Sequence, residues 1–301
     1  MLRLFFVIAS ASCLLAGDAL AQVTLKRKYE EGTTYKTQEV QQVDQTLKLN
    51  GIAIPTKSET TIVAATTYGK RDADGNLPME TKIDSLKVNL SLQGTNVTFD
   101  SAEPDKKASN PLLEPALEQF RKLSGLVITQ KMSKDNKKIV SIERSKQDVE
   151  LDPEDLKQQK QQEIDMIPSD PLKIGDKWQR TIKQDLGQGQ VFTFDRKFEY
   201  AGPVDEFATV PGSRKLDKVT ASDASVEYST RPNAGMGLAV KKSDLKIESS
   251  KHTYLFDREA GRIVKADNEV HITGGLSISI NNMDFDGDLD LTLATHAQEV
   301  K

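Results

Sequence analysis

Apolar and polar residues alternate with period two along most of the chain, and the alternating positions are rich in Thr, Val, Ile, Tyr and Phe. This is the pattern of β-strands with one wet face. Residues 33–50 run to the hairpin signal Asn50-Gly51 and are answered by 52–70, with Pro55 marking an edge or a bulge. Asp72-Ala73-Asp74-Gly75-Asn76 predicts a turn into 77–93, where Ile83, Leu86, Val88, Leu90 and Leu92 fall mostly on one parity, and Gly94-Thr95-Asn96 turns the chain into 97–99. Hairpin strands over 126–132 and 139–143 follow. The pattern then resumes over 177–186, 190–200, 216–228, 238–256, 263–272 and 276–297. Strands of some 15 residues would span about 50 Å, against a usual length near 20 Å. Sheets of that kind twist and curl, and the concave face needs a cover.

Two helices break the alternation. Asn110-Pro111 reads as a cap followed by proline at the first helical position, and Leu112, Leu113, Ala116, Leu117, Phe120 and Leu123 recur at helical spacing up to Gly125. Pro115 is tolerated because it falls in the first turn. A second helix starts at Asp152, with Pro153, Glu154 and Asp155 at the positive end of its dipole. Its body, 156–166, is dominated by Lys and Gln, which predicts a solvated connector.

The predicted fold class is mainly β with minor α: long-stranded antiparallel curved sheets, read as a duplicated half-barrel unit with the helices between the copies. Gly32 with Tyr35 and Gly175 with Trp178 open the two halves, and Tyr68 to Gly75 and Tyr254 to Gly261 recur later in each. The organisation is a signal peptide over 1–21, an N-terminal β region over 22–110, a helix-containing connecting region over 111–167 and a C-terminal β region over 168–301. The signal is read from Arg3, the apolar run 4–15 and the small-x-small site Ala19-Leu20-Ala21, and the run is too short for a spanning helix. The expectation is export to the periplasm or the extracellular space. Cys13 is the single cysteine and leaves with the signal; a lipoprotein reading would make it the acylated residue.

Composition narrows the chemistry. With 41 Lys plus Arg against 45 Asp plus Glu, the net charge of −4 gives no footprint for nucleic acid or an anionic membrane. Hydrophobic residues make up 37%, which implies a lean interior. The three histidines, His252, His271 and His296, lie on predicted strands without a helical partner, and each reads as a surface or half-buried residue. Gly187-Gln188-Gly189 and Gly235-Met236-Gly237 lack a third glycine and a following helix, so they read as hairpin turns. Ser243 and Lys246 would point to opposite faces of a strand. Asp284, Asp286, Asp288 and Asp290 resemble the start of a calcium loop, yet Met283, Phe285, Leu289 and Leu291 keep the alternation, so a strand with an acidic wet face is preferred. Asp72, Asp74 and Asn76 are explained by a turn alone. Trp178 reads as a core anchor.

The segments PLKIGDKW at 171–178, YLFDREAGRIV at 254–264 and YEEGTTY at 29–35 resemble an uncharacterised family of exported bacterial antiparallel-β proteins. The resemblance implies an envelope location and β architecture, akin to the curved-sheet carriers of lipoproteins and lipids. It carries over no catalytic, cofactor or metal residue. The expected function is a non-enzymatic envelope protein whose partner is an apolar ligand or a lipid-bearing protein. The alternatives are a structural or interaction module of the envelope that pairs along a strand edge, and an enzyme with a polar pocket that strand order hides.

Overall fold

The computed structural model describes residues 22–92, 94–108, 113–146, 148–149, 152–187, 190–204, 216–230, 238–280 and 283–300. The predicted signal peptide with Cys13, the Asn110-Pro111 cap and the turns at 188–189 and 235–237 lie outside them.

The elements are β1 (Thr34–Leu49), β2 (Ile52–Tyr68), β3 (Leu77–Leu92), β4 (Thr95–Asp100), α1 (Glu114–Leu123), β5 (Val127–Met132), β6 (Ile139–Arg144), α2 (Pro153–Asp165), β7 (Lys177–Gly187), β8 (Gln190–Val204), β9 (Leu216–Thr230), β10 (Leu238–Asp257), β11 (Arg262–Ile280) and β12 (Met283–Val300). Twelve strands form one sheet in the order β6-β5-β3-β2-β1-β12-β11-β10-β9-β8-β7, with β4 beside β3. Neighbours are antiparallel, and β1 joins β12 over Lys36–Leu49, so the N- and C-terminal β regions share a single sheet.

Local chemistry explains the turns. Asn50 (φ 48°) and Gly51 (φ 83°) both adopt left-handed backbone, as a two-residue hairpin of right-handed strands requires. Pro55 faces Thr46 of β1, while the β2–β3 ladder begins one residue later at Thr56; its missing N–H therefore costs no bond. The Asp72 turn is held by its Oδ1, which accepts from the N–H groups of Asp74 at 3.1 Å and Asn76 at 2.9 Å.

The sheet rolls tightly. Phe192 and Phe194 of β8 share one buried cluster with Leu289, Leu291 and Leu293 of β12, although three strands separate them in the sheet. A second cluster at the other end of the same concave face gathers Phe198, Tyr200, Val219, Tyr254 and Phe256 with Leu25, Ile167 and Leu172. Leu25 arrives on a segment tied down by the Val23–Leu172 bridge and by the Lys28 N–H donating to Gly261 at 3.0 Å. α1 lays Leu117 and Phe120 on Leu86, Val88, Val97 and Phe99 of β3 and β4. It starts at Glu114, with Pro115 in its first turn and no side-chain cap.

The landmark Gly32/Tyr35 does recur structurally. The Gly32 N–H donates to Tyr68 O at 2.7 Å and the Tyr68 N–H to Thr33 O at 2.9 Å; Gly175, Tyr200 and Asp176 repeat this at 2.8 and 3.0 Å. This geometry makes Tyr200 the counterpart of Tyr68, whereas the turn landmark matches Tyr68 with Tyr254. The two landmarks therefore superpose different strands.

α2 departs from its expected role as a solvated connector. None of its residues is fully buried, yet it lies between the two terminal strands of the sheet. Gln161 Oε1 accepts from the Ile139 N–H of β6 at 3.0 Å and its Nε2 donates to Lys137 O at 2.8 Å, while Gln162 Oε1 accepts from the Lys183 N–H of β7 at 2.9 Å. Trp178 Nε1 donates to Met166 O at 2.8 Å and Arg180 Nε to Asp165 O at 2.7 Å. The glutamines are the reason: their long amides replace the backbone partners that edge strands otherwise lack.

Candidate functional site

Along the inward-facing positions of β8, the sequence Phe192-Phe194-Arg196-Phe198-Tyr200 places a cation in an aromatic row. Arg196 is buried, and its Nε donates to Asp223 Oδ1 of β9 at 2.6 Å while Nη1 donates to the Tyr254 hydroxyl at 2.9 Å. Asp223 Oδ2 lies 2.7 Å from His252 Nε2, and His252 Nδ1 lies 3.1 Å from Asn268 Oδ1 of β11. Ser250 sits beside them, 3.0 Å from His252 Nε2 and 3.1 Å from Asp223 Oδ2. These side chains form a polar belt across the concave face between the two apolar clusters. Burial opposes ionisation of Asp223, but the bonds to His252 and Arg196 outweigh it and hold its carboxyl below the usual range.

The expectation for His252 is thereby corrected: it is 2% exposed, a satisfied core histidine. Serine, histidine and aspartate meet here, but not as a nucleophile relay. In such a relay the carboxylate and the hydroxyl bind opposite ring nitrogens; here both lie at Nε2, and Asn268 takes Nδ1. His271 and His296 instead pair with Asp290 at 2.9 Å and Asp267 at 2.8 Å on the convex face.

The aspartate run is strand β12. Asp284 pairs with Lys241 at 2.6 Å, Asp286 accepts from the Ser277 hydroxyl at 2.6 Å and Asp290 meets His271, so these carboxylates look toward different partners. Among the described residues, no group of three or more His, Cys, Asp or Glu side chains converges as a metal site. Ser243 donates to Tyr228 O at 3.4 Å. Trp178 stacks on Phe198, centroids 5.5 Å apart and planes 4° from parallel, which is the anchor its position predicts.

Three openings border this architecture. A cavity of about 370 Å³ lies between α2 and the belt, lined by Glu39, Gln41, Gln159, Gln162, Glu163 and Thr295 among others. A cleft of about 590 Å³ lies at the C-terminal end of α2, with Leu25, Ile164, Ile167 and Pro168 as apolar wall and Lys26, Arg27, Lys137 and Arg180 among its polar groups. A third opening, about 600 Å³, adjoins Tyr29, Tyr35 and Tyr68, with the Arg262 guanidinium 4.7 Å above the Tyr35 ring.

The apolar end of the concave face is closed by its own side chains: Phe192, Phe194, Ile272 and Leu291 are each at most 1% exposed. Two of the three openings adjoin α2.

No family model and no curated protein matches the chain. Among solved structures, a lipovitellin structure concerned with lipid–protein interactions aligns at a TM-score of 0.45 and 9% identity, covering 91% of this chain and 26% of that one. The chain thus spans about a quarter of the lipovitellin chain. An outer membrane channel from Pseudomonas putida F1 aligns at 0.25 and 9% identity, covering 91% and 98%. DynF, from the dynemicin biosynthesis pathway of Micromonospora chersina, aligns at 0.19 and 9% identity, covering 92% and 85%. Function is therefore read from this chain's own side chains.

The belt was missed because each member looks ordinary alone. The signal was parity on β8, where Arg196 occupies an inward position in a row that is otherwise apolar or aromatic.

Proposed function

We propose that this is an exported, non-enzymatic binding protein of the cell envelope, and that it takes an amphipathic, acyl-bearing ligand in the cleft at the C-terminal end of α2. The observation that carries the reading is the make-up of that cleft. Its volume of about 590 Å³ lies within the roughly 300–1,000 Å³ of small-molecule sites. Four cations stand around an apolar wall, while the two acids beside them already accept hydrogen bonds: Asp135 from the Ser133 hydroxyl and the Lys137 backbone N–H, and Asp165 from the Gln161 amide. An aliphatic chain with an anionic head matches this arrangement.

The test is native mass spectrometry of delipidated protein incubated with palmitate. The expected result is a one-to-one complex that Ile164→Asp weakens; a protein that takes up no fatty acyl ligand removes the reading.

A second reading, strand-edge pairing with another envelope protein, is favoured by β4, which has β3 on one side and no strand on the other among the described residues. Crosslinking in envelope extracts should then recover a partner attached near residues 95–100, and a solitary monomer would count against it.

A further inference from the structure

The cavity between α2 and the polar belt is a separate opening, and its charges do not balance. Lys160 of α2 gives both its bonds to Glu163, at 2.8 and 3.0 Å. Arg196 is taken by Asp223, and His252 by Asp223 and Asn268. Lys183 of β7 and Glu269 of β11 also border the space, one cation and one anion that offset each other. Glu39 of β1 remains. Solvent reaches it, but among the described residues no hydrogen bond or ion pair reaches its carboxylate; only the more distant charges of Lys160 and Glu163 act on it, in opposite senses.

Beyond these charges, the cavity wall offers neutral groups that can accept as well as donate, and aliphatic surface. Gln41, Gln159 and Thr295 each carry an oxygen that engages no described partner, and Met166, Ile182, Val270 and Leu293 supply apolar wall. A carboxylate with neutral oxygens around it complements a group with several N–H donors and one positive charge. A primary ammonium on an aliphatic stem has three such donors. An anion would be repelled by Glu39, and a neutral hydroxyl would leave its charge to water alone.

We propose that this cavity is a binding site for an alkylammonium group, with Glu39 as its counter-ion and Gln41, Gln159 and Thr295 as acceptors for the remaining N–H bonds. The site is distinct from the acyl cleft and does not depend on it.

The ammonium has two sources, a free aliphatic amine or the head of an ethanolamine lipid, and the experiment separates them. Full-length mature protein is titrated by calorimetry with cadaverine, and by native mass spectrometry with lysophosphatidylethanolamine beside lysophosphatidylglycerol. Saturable binding of cadaverine assigns the free amine; binding of the ethanolamine lipid in preference to the glycerol lipid assigns the head group. In either case Glu39→Gln, which keeps shape and removes charge, should weaken binding roughly 10- to 100-fold. Asp290→Asn, which alters a carboxylate on the convex face, should leave it within about 2-fold. Equal affinity of wild type and Glu39→Gln, or no binding of any amine, overturns the proposal. Loss of palmitate uptake alone does not.

Discussion

Gln161 of α2 accepts the backbone N–H of Ile139 on β6 at 3.0 Å, so a helical side chain occupies the place where a further strand would pair. Gln162, one residue on, does the same for Lys183 of β7. Adjacent residues on a helix point about 100° apart, which is what lets neighbouring glutamines reach opposite strands.

The double variant Gln161→Ala/Gln162→Ala should lose about 1–2 kcal/mol of stability, since each net hydrogen bond contributes about 0.5–1.5 kcal/mol. Hydrogen exchange should accelerate at the amides of Ile139 and Lys183 while the central strands stay protected. Unchanged exchange at both amides would show that α2 does not bind the edges.

Removing Asp223 should be among the costliest single changes. Asp223→Asn leaves Arg196, 7% exposed, without its counter-charge, a loss on the order of 3–5 kcal/mol in urea unfolding at pH 7. The pH dependence follows from the lowered carboxyl pKa. An acid held below its unfolded value of about 3.9 contributes stability that is present above that value and lost as pH falls through the folded one. The gap between wild type and variant should therefore be constant at neutral pH and shrink below about pH 4.

Glu39 works in the opposite direction. Partial desolvation raises its carboxyl above the usual range, so the folded protein holds that proton more tightly than the unfolded chain does. Glu39→Gln should stabilise the unliganded protein at pH 7, by less than about 1 kcal/mol because water still reaches the group. The gain should narrow as pH falls through the raised folded value and vanish below about 4.3, the unfolded value. A variant that is less stable at pH 7 would contradict this.

Gly274 of β11 has φ 143°, and a Cβ there would overlap the carbonyl oxygen of Asp244 and stand 2.9 Å from the Leu245 Cα. Gly274→Ala should cost roughly 2–4 kcal/mol. Next to it, Gly275 has nothing within 4 Å of the corresponding position, so Gly275→Ala should cost under about 1 kcal/mol in the same melt.

The strands were legible because their one-sided burial writes itself as alternation, and the hairpins because Asn50-Gly51 and the Asp72 turn need particular backbone conformations. The aspartate run was legible for the same reason: its apolar partners keep parity. α2 was not, because a glutamine facing water and a glutamine bonded to a strand edge have the same composition, and the difference is made by two edges 44 residues apart, at Ile139 and Lys183, approaching one helix. The cavity at Glu39 was hidden likewise. Glu39 and Thr295 lie near opposite ends of the chain and become neighbours only through the β1–β12 ladder.

Trp178 is the only tryptophan in the chain, and its indole N–H holds the Met166 carbonyl just past the end of α2. The protein therefore carries a built-in fluorophore at the hinge between helix and sheet. Any guest that shifts α2 should change its emission, so occupancy could be followed in unlabelled material.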